Sequence, residues 1–249
     1  MFAIATITFK EAIRDKVLYT IVVFGILFGL LNLFLAKLAV GDLQMIRSFG
    51  LAGIYVFGMV ITIFLGSSII YKEIERRTLY FVLSKPISRT KVVMGKFLGL
   101  FLAVVLTTLC MTVIYLIVIT YEGGGFDILG LLAVFFQILE EALFIAMLIF
   151  FSSFSVPLIS AISSLLLLFL GHLLDSVVKS AEVFGGVIYQ VFLYASYILP
   201  NLEKFNIRNA IVHEIEIPFT TTFLVIGYAL LYTVIFLILA NSIFRKREL

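Results

Sequence analysis

Charge is scarce in this chain. Only 13% of its 249 residues are Asp, Glu, Lys or Arg, about half the share in an ordinary soluble domain. That shortage excludes a water-solvated surface of the usual kind. Cysteine is nearly absent too. Cys110 stands alone, so no disulfide framework and no thiol metal site can form within one chain. Histidine is limited to His172 and His213, and no thioethers cluster, so the chain offers a poor copper site. No G-x-x-x-x-G-K-[ST] occurs. Gly95-Lys96 lacks the upstream glycine and the following hydroxyl residue, which excludes ATP binding by that route. His213-Glu214 has no second histidine four residues on, and no Ser/His or paired-Asp constellation supports an intramembrane enzyme.

What is there is oil. Hydrophobic residues make up 63% of the chain, 26 of them Phe, and mean hydropathy is +1.21. A globular core of this size cannot bury that much apolar surface, whereas a bilayer can. The expected class is an all-α integral membrane protein in one domain spanning 1–249. Six runs are long enough to cross: about 17–36, 50–71, 95–119, 127–151, 156–173 and 222–244. The fifth is short and opens at Pro157, suited to a first helical turn. The tight link Ser152–Val156 predicts an antiparallel pair turning at the membrane surface. The first sixteen residues read as an interfacial helix, with Phe2, Phe9 and Ile13 on one face and Lys10, Glu11, Arg14 and Asp15 on the other.

Orientation follows from the Lys/Arg distribution. With the N-terminus inside, the inner segments hold Lys10, Arg14, Lys16, Lys72, Arg76, Arg77, Lys85, Arg89, Lys91, Lys96, Arg245, Lys246 and Arg247. The outer ones hold Lys37, Arg47, Lys179, Lys204 and Arg208. Thirteen against five places both termini in the cytoplasm. The stretch 174–221 is then exterior. Its apolar part, Gly185–Leu199, is too short to span comfortably and predicts a re-entrant or interfacial helix stopped by Pro200. The polar stretch Asn201–Asn209 is expected at the outer surface. Two further crossings in this region would leave the C-terminus on the same side and remain the competing reading.

Seven basic residues and two glutamates crowd Tyr71–Lys96. Glu73 and Arg77 stand four apart in the favourable order for a helical pair. Ile74, Thr78 and Phe81 share a face, and Pro86 ends the helix. Ser88 can cap the next one, which runs through Gly95 into the third span. A short helix, an elbow and a span make a lever able to carry force from a soluble partner. A positive-inside anchor on anionic lipid is the plainer alternative.

These residues resemble a known family. Glu73, Thr78, Leu83, Ser84, Pro86, Arg89, Gly95 and Lys96 match the signature of ABC-2-type transporter permeases. They are similar in particular to the branch serving multicopper-enzyme and nitrous-oxide-reductase maturation. Weaker echoes lie at Phe151–Pro157 and Leu199–Asn206. The resemblance implies a type V exporter-like layout, with a cytoplasmic coupling region over 72–94 and exterior re-entrant helices before the last span. It implies a permease that pairs with a second copy on two copies of a separate ATPase. ATP and Mg²⁺ would be used by that partner, with no cofactor and no nucleic acid on this chain. The coupling residues would be Glu73, Glu75, Arg77, Thr78, Pro86, Arg89, Gly95 and Lys96, with Ser153 and Phe154 as a second contact. The place would be the inner membrane of a prokaryote, and a periplasmic accessory protein and metalloenzyme maturation belong to the same implication.

Two acids lie inside the fourth span. Glu140 is twelve residues from Ser152, ~18 Å at helical rise, which is near the middle of a hydrocarbon core about 30 Å thick. Neighbours on a helix diverge by about 100°, so Glu140 and Glu141 cannot face one partner. Gln137 extends the patch, and His172 reaches it only if the fourth and fifth spans pack side by side. Three roles stay open: a hydrogen-bonded stitch between helices, a cargo-lining group, or a proton relay. The relay would make the chain a gradient-driven secondary transporter or channel.

Overall fold

The computed structural model describes residues 1–14, 17–38, 42–67, 88–213, 215 and 217–246. Every regular element among them is a helix. In chain order these are α1 (Phe2–Arg14), α2 (Val17–Leu38), α3 (Leu43–Gly66), α4 (Arg89–Tyr121), α5 (Ile128–Ser152), α6 (Pro157–Phe184), α7 (Gly186–Ile198), a 3-10 turn (Leu202–Phe205), α8 (Arg208–Val212) and α9 (Phe219–Lys246). Five of them, α3, α4, α5, α6 and α9, are long and apolar enough to cross a membrane. The 22-residue α2 covers the first apolar run. Most of the coupling region, including Glu73, Glu75, Arg77, Thr78 and Pro86, lies outside the described residues.

The long helices alternate in direction. Phe28 of α2 meets Phe57 of α3 edge-on at 5.9 Å. Tyr115 of α4 reaches Asp127, at the start of α5, and Ser160 of α6 donates to the Leu148 carbonyl of α5 at 3.2 Å. Arg89, at the start of α4, meets the end of α9. One end of the bundle therefore gathers the starts of α4 and α6 with the ends of α3, α5 and α9. The helix α5 is the central post: 72% of its apolar window is buried, against 28% for α6 and α9. Leu143 through Ile149 are fully enclosed.

Local chemistry sets several boundaries. Asp42 accepts from the Gln44 and Met45 amides, so α3 starts at Leu43, seven residues before its apolar run. Asp127 caps α5 by accepting from the Gly130 amide at 2.9 Å, the usual role of an acidic N-cap. Ser88 occupies the N-cap position of α4 but makes no side-chain cap bond. The helix that holds the fifth apolar run does not stop at 173: α6 continues to Phe184. The residues after 173 keep the helix going with polar and apolar positions mixed. At Gly185 and Gly186 the backbone turns with φ near +61°, a conformation that glycine adopts without strain.

The face of α1 that packs inward is Ala5, Thr8 and Ala12, all buried, with Phe9 partly buried against the core, while Phe2 is 78% exposed. Close approach selects the small residues: a Cβ on Gly99 of α4 would stand 2.6 Å from the Ala5 carbonyl, and one on Gly95 would stand 2.8 Å from Ile4. Gly95-x-x-x-Gly99 is a small-residue seam for α1. One expectation needs correcting: the stretch Asn201–Asn209 does not lie wholly at the surface. Leu202 and Phe205 are buried, as are Ile211 and Val212 of α8. Spaced apolar residues in a polar stretch were enough to pull it into the bundle.

Candidate functional site

The two acids of α5 part company as the helical geometry requires. Glu141 turns toward α3 and α4. Its carboxylate accepts from Thr108 of α4 at 3.0 Å and from Gln137 at 2.9 Å. Gln137 also donates to the Ile54 carbonyl of α3 at 3.2 Å. The space comes from Gly58, where a Cβ would stand 2.5 Å from the Glu141 Oε1. Glu141 is wholly buried, with Thr108 and Gln137 as its donors.

Glu140 turns toward α3, α6 and α8. The Tyr55 hydroxyl donates to its Oε1 at 3.0 Å. His172 Nε2 lies 3.0 Å from that same hydroxyl and 3.4 Å from Glu140 Oε1. A phenol has one proton to give. With that proton on Glu140, His172 must donate from Nε2 to the phenol oxygen, which leaves Nδ1 bare. Nδ1 is indeed buried without a hydrogen-bond partner. Above the ring of Tyr55 sits the Arg208 guanidinium, 3.8 Å from the centroid. It is oriented by Asn206, which accepts from Arg208 Nε at 3.0 Å. Tyr55 thus ties three helices and the 3-10/α8 segment together near mid-length.

A second polar knot closes the far end. Asp127 accepts from Tyr115 at 2.5 Å and from Arg47 Nε at 3.0 Å, pinning the starts of α3 and α5 to the end of α4. Arg47, counted above as an outer charge, is spent in this buried pair.

The end that carries Arg89 is built differently. Arg89 Nη1 donates to the Phe244 carbonyl at 2.8 Å and the Arg245 carbonyl at 3.0 Å. These are free acceptors in the last turn of α9, where a cation is favoured. Lys96 is buried in α4. In the turn after α5, Ser153 is buried and donates to the Phe150 carbonyl at 2.6 Å, whereas Phe154 is 47% exposed and rests on Phe150 at 5.3 Å. Among the described residues expected to meet a partner, Phe154 is exposed and Arg89 is half-buried. Gly95, Lys96 and Ser153 face the protein.

The structure therefore joins Gln137 to Glu141 and Glu140 to His172, and separates the two pairs. Sequence reasoning missed Tyr55, Thr108 and Arg208. A phenol in the middle of an apolar span carries a polar handle that wants a partner when buried, and Tyr55 gave that signal. Arg208 gave none. Among the described residues no group of three His, Cys, Asp or Glu could hold a metal. The arrangement locks helices together through hydrogen bonds.

Comparison with curated proteins finds no match. Comparison with protein families finds one: the model described as ABC-2 family transporter protein matches residues 2–249.

Proposed function

This chain belongs to the ABC-2 family of transporter proteins, and from that premise we propose that it is the permease subunit through which a separate ATPase drives a substrate across the cytoplasmic membrane. The family match over almost the whole chain carries this reading. In it, α2 joins the five apolar helices as a sixth span. The end with Arg89, Phe154 and Arg245 faces the cytoplasm, in keeping with the basic bias of those segments. The stretch before Ser88, with Glu73, Glu75, Arg77, Thr78 and Pro86, is the main coupling element, and the exposed Phe154 is the second. Arg89, Gly95, Lys96 and Ser153 support that surface from behind. ATP and Mg²⁺ belong to the partner, and two permeases stand on two ATPases. Maturation of a periplasmic metalloenzyme, with an accessory protein outside, is the cargo-side reading that the Glu73–Arg89 signature favours.

The intramembrane acids act here as stitches. Glu141 accepts two hydrogen bonds and Glu140 is held by Tyr55, so neither is presented as an open carboxylate to a conduit. The coupling claim is tested by Arg77→Glu, with Phe154→Ala as the second variant. Each should lower the yield of co-purified ATPase while the amount of inserted permease stays constant. Undiminished ATPase yield in both would contradict it.

A further inference from the structure

A crevice of about 420 Å³ opens on the flank of the bundle between the 3-10 turn and the first half of α9. It is lined by Lys204, Thr221, Leu224, Val225 and Tyr228. Its size is that of a ligand site. Leu224 is 73% exposed and Val225 is buried, so one apolar wall faces sideways, where hydrocarbon lies if α9 spans a bilayer. An apolar wall of this kind gains from contact with an acyl chain and loses if left as a void.

The mouth carries a cation. The Lys204 ammonium sits 4.4 Å from the Tyr228 ring centroid. Among the described residues no carboxylate comes within 4.0 Å of it. The two carboxylates of this region take their hydrogen bonds elsewhere. Glu203 accepts from Asn206 Nδ2 at 3.0 Å, and Asp175 accepts from Asn201 Nδ2 at 2.6 Å. The Tyr228 ring is itself fixed, because its hydroxyl accepts from the Asn201 amide at 2.6 Å. A positioned cation with no ion-pair partner among the described residues stands beside the Tyr228 ring in an apolar slot, which Thr221 also lines. What is missing is an anion attached to a hydrocarbon chain.

We propose that this crevice binds an acidic phospholipid of the bilayer, its tail along Leu224 and Val225 and its phosphate at Lys204. The lipid bridges the 3-10 turn and α9. It thereby steadies the segment that carries Arg208 to Tyr55. The site needs only the bundle to sit in a membrane, so it stands or falls independently of any ATPase.

The test is native mass spectrometry of the full chain in mild detergent, exchanged with phosphatidylglycerol or with phosphatidylcholine of the same acyl chains. Phosphatidylglycerol should be retained over phosphatidylcholine. Lys204→Gln should lower phosphatidylglycerol retention about fivefold, the factor a lysine near an acidic surface contributes, and leave phosphatidylcholine unchanged. Lys179→Gln, at an exposed lysine on α6, should change neither. Leu224→Trp fills the slot and should lower retention of both. Equal phosphatidylglycerol retention by the parent and Lys204→Gln would overturn the proposal. So would an equal loss on Lys179→Gln, unchanged retention by Leu224→Trp, or displacement of the lipid by inorganic phosphate alone.

Discussion

At the scale of single residues, the account turns on buried polar groups that are paired. Removing one partner leaves the other unsatisfied, which costs about 1–3 kcal/mol. Glu141→Leu strands Thr108 and Gln137 together, so we expect a clear drop in the thermal stability of the detergent-solubilised protein. Glu141→Gln keeps an acceptor for them and should cost less. Equal losses from the two would mean that charge, not hydrogen bonding, is what the site needs. Gly58→Ala places a methyl against Glu141 and Gln137 and should cost on the order of 1–3 kcal/mol by overpacking, read in the same melt. Tyr55→Phe preserves the ring beneath Arg208 but removes the hydroxyl shared by Glu140 and His172. It should destabilise, and Tyr55→Leu should destabilise further by removing the cation–π contact as well. Part of this site was legible in the sequence. The 100° divergence of Glu140 and Glu141 follows from helix geometry, and the closeness of Gln137 to Glu141 follows from their spacing. Which helices supply Tyr55, Thr108 and Arg208 depends on packing between distant segments, and no local pattern carries it.

At the scale of elements, two contacts decide how the ends are held. The Gly95-x-x-x-Gly99 seam lets α1 lie against α4 with Ala5 and Thr8 in the groove. Gly99→Leu should lift α1 away, and amide hydrogen exchange over residues 2–14 should rise while exchange in α5 stays slow; unchanged exchange in α1 would deny the seam its role. Arg89 closes the last turn of α9, so Arg89→Gln should speed exchange at residues 243–246. That second effect matters for interpretation. A loss of partner binding on changing Arg89 mixes a frayed α9 with a lost contact, whereas Phe154 is exposed and free of that ambiguity. The long apolar helices were readable from composition, because a run of about twenty apolar residues admits few other fates. Three features were not. The small-residue face of α1 was hidden by its more conspicuous Phe residues. The extension of α6 to Phe184 carries no hydrophobic signal. The inward packing of Leu202 and Phe205 depends on a 3-10 turn too short to show periodicity.

At the scale of the whole molecule, the bundle has two unlike ends and a middle cross-linked by hydrogen bonds. Polar knots at Asp127 and at Tyr55–Glu140 bind α3, α4, α5 and α6 into one block, with the 3-10/α8 segment tied in through Arg208. Force applied at the end bearing Arg89 and Phe154 would therefore move helices as units rather than bend them, which suits a subunit that rocks under the push of a partner. The central claim is that such a partner exists and is an ATPase. The most direct measurement is purification of the tagged chain from its native membranes in mild detergent, with mass analysis of what accompanies it and an ATP-hydrolysis assay. The account predicts two permeases with two copies of an ATPase, and hydrolysis that Arg77→Glu or Phe154→Ala uncouples from the permease. A chain that purifies alone or only with itself, with no nucleotide hydrolysis, would contradict it.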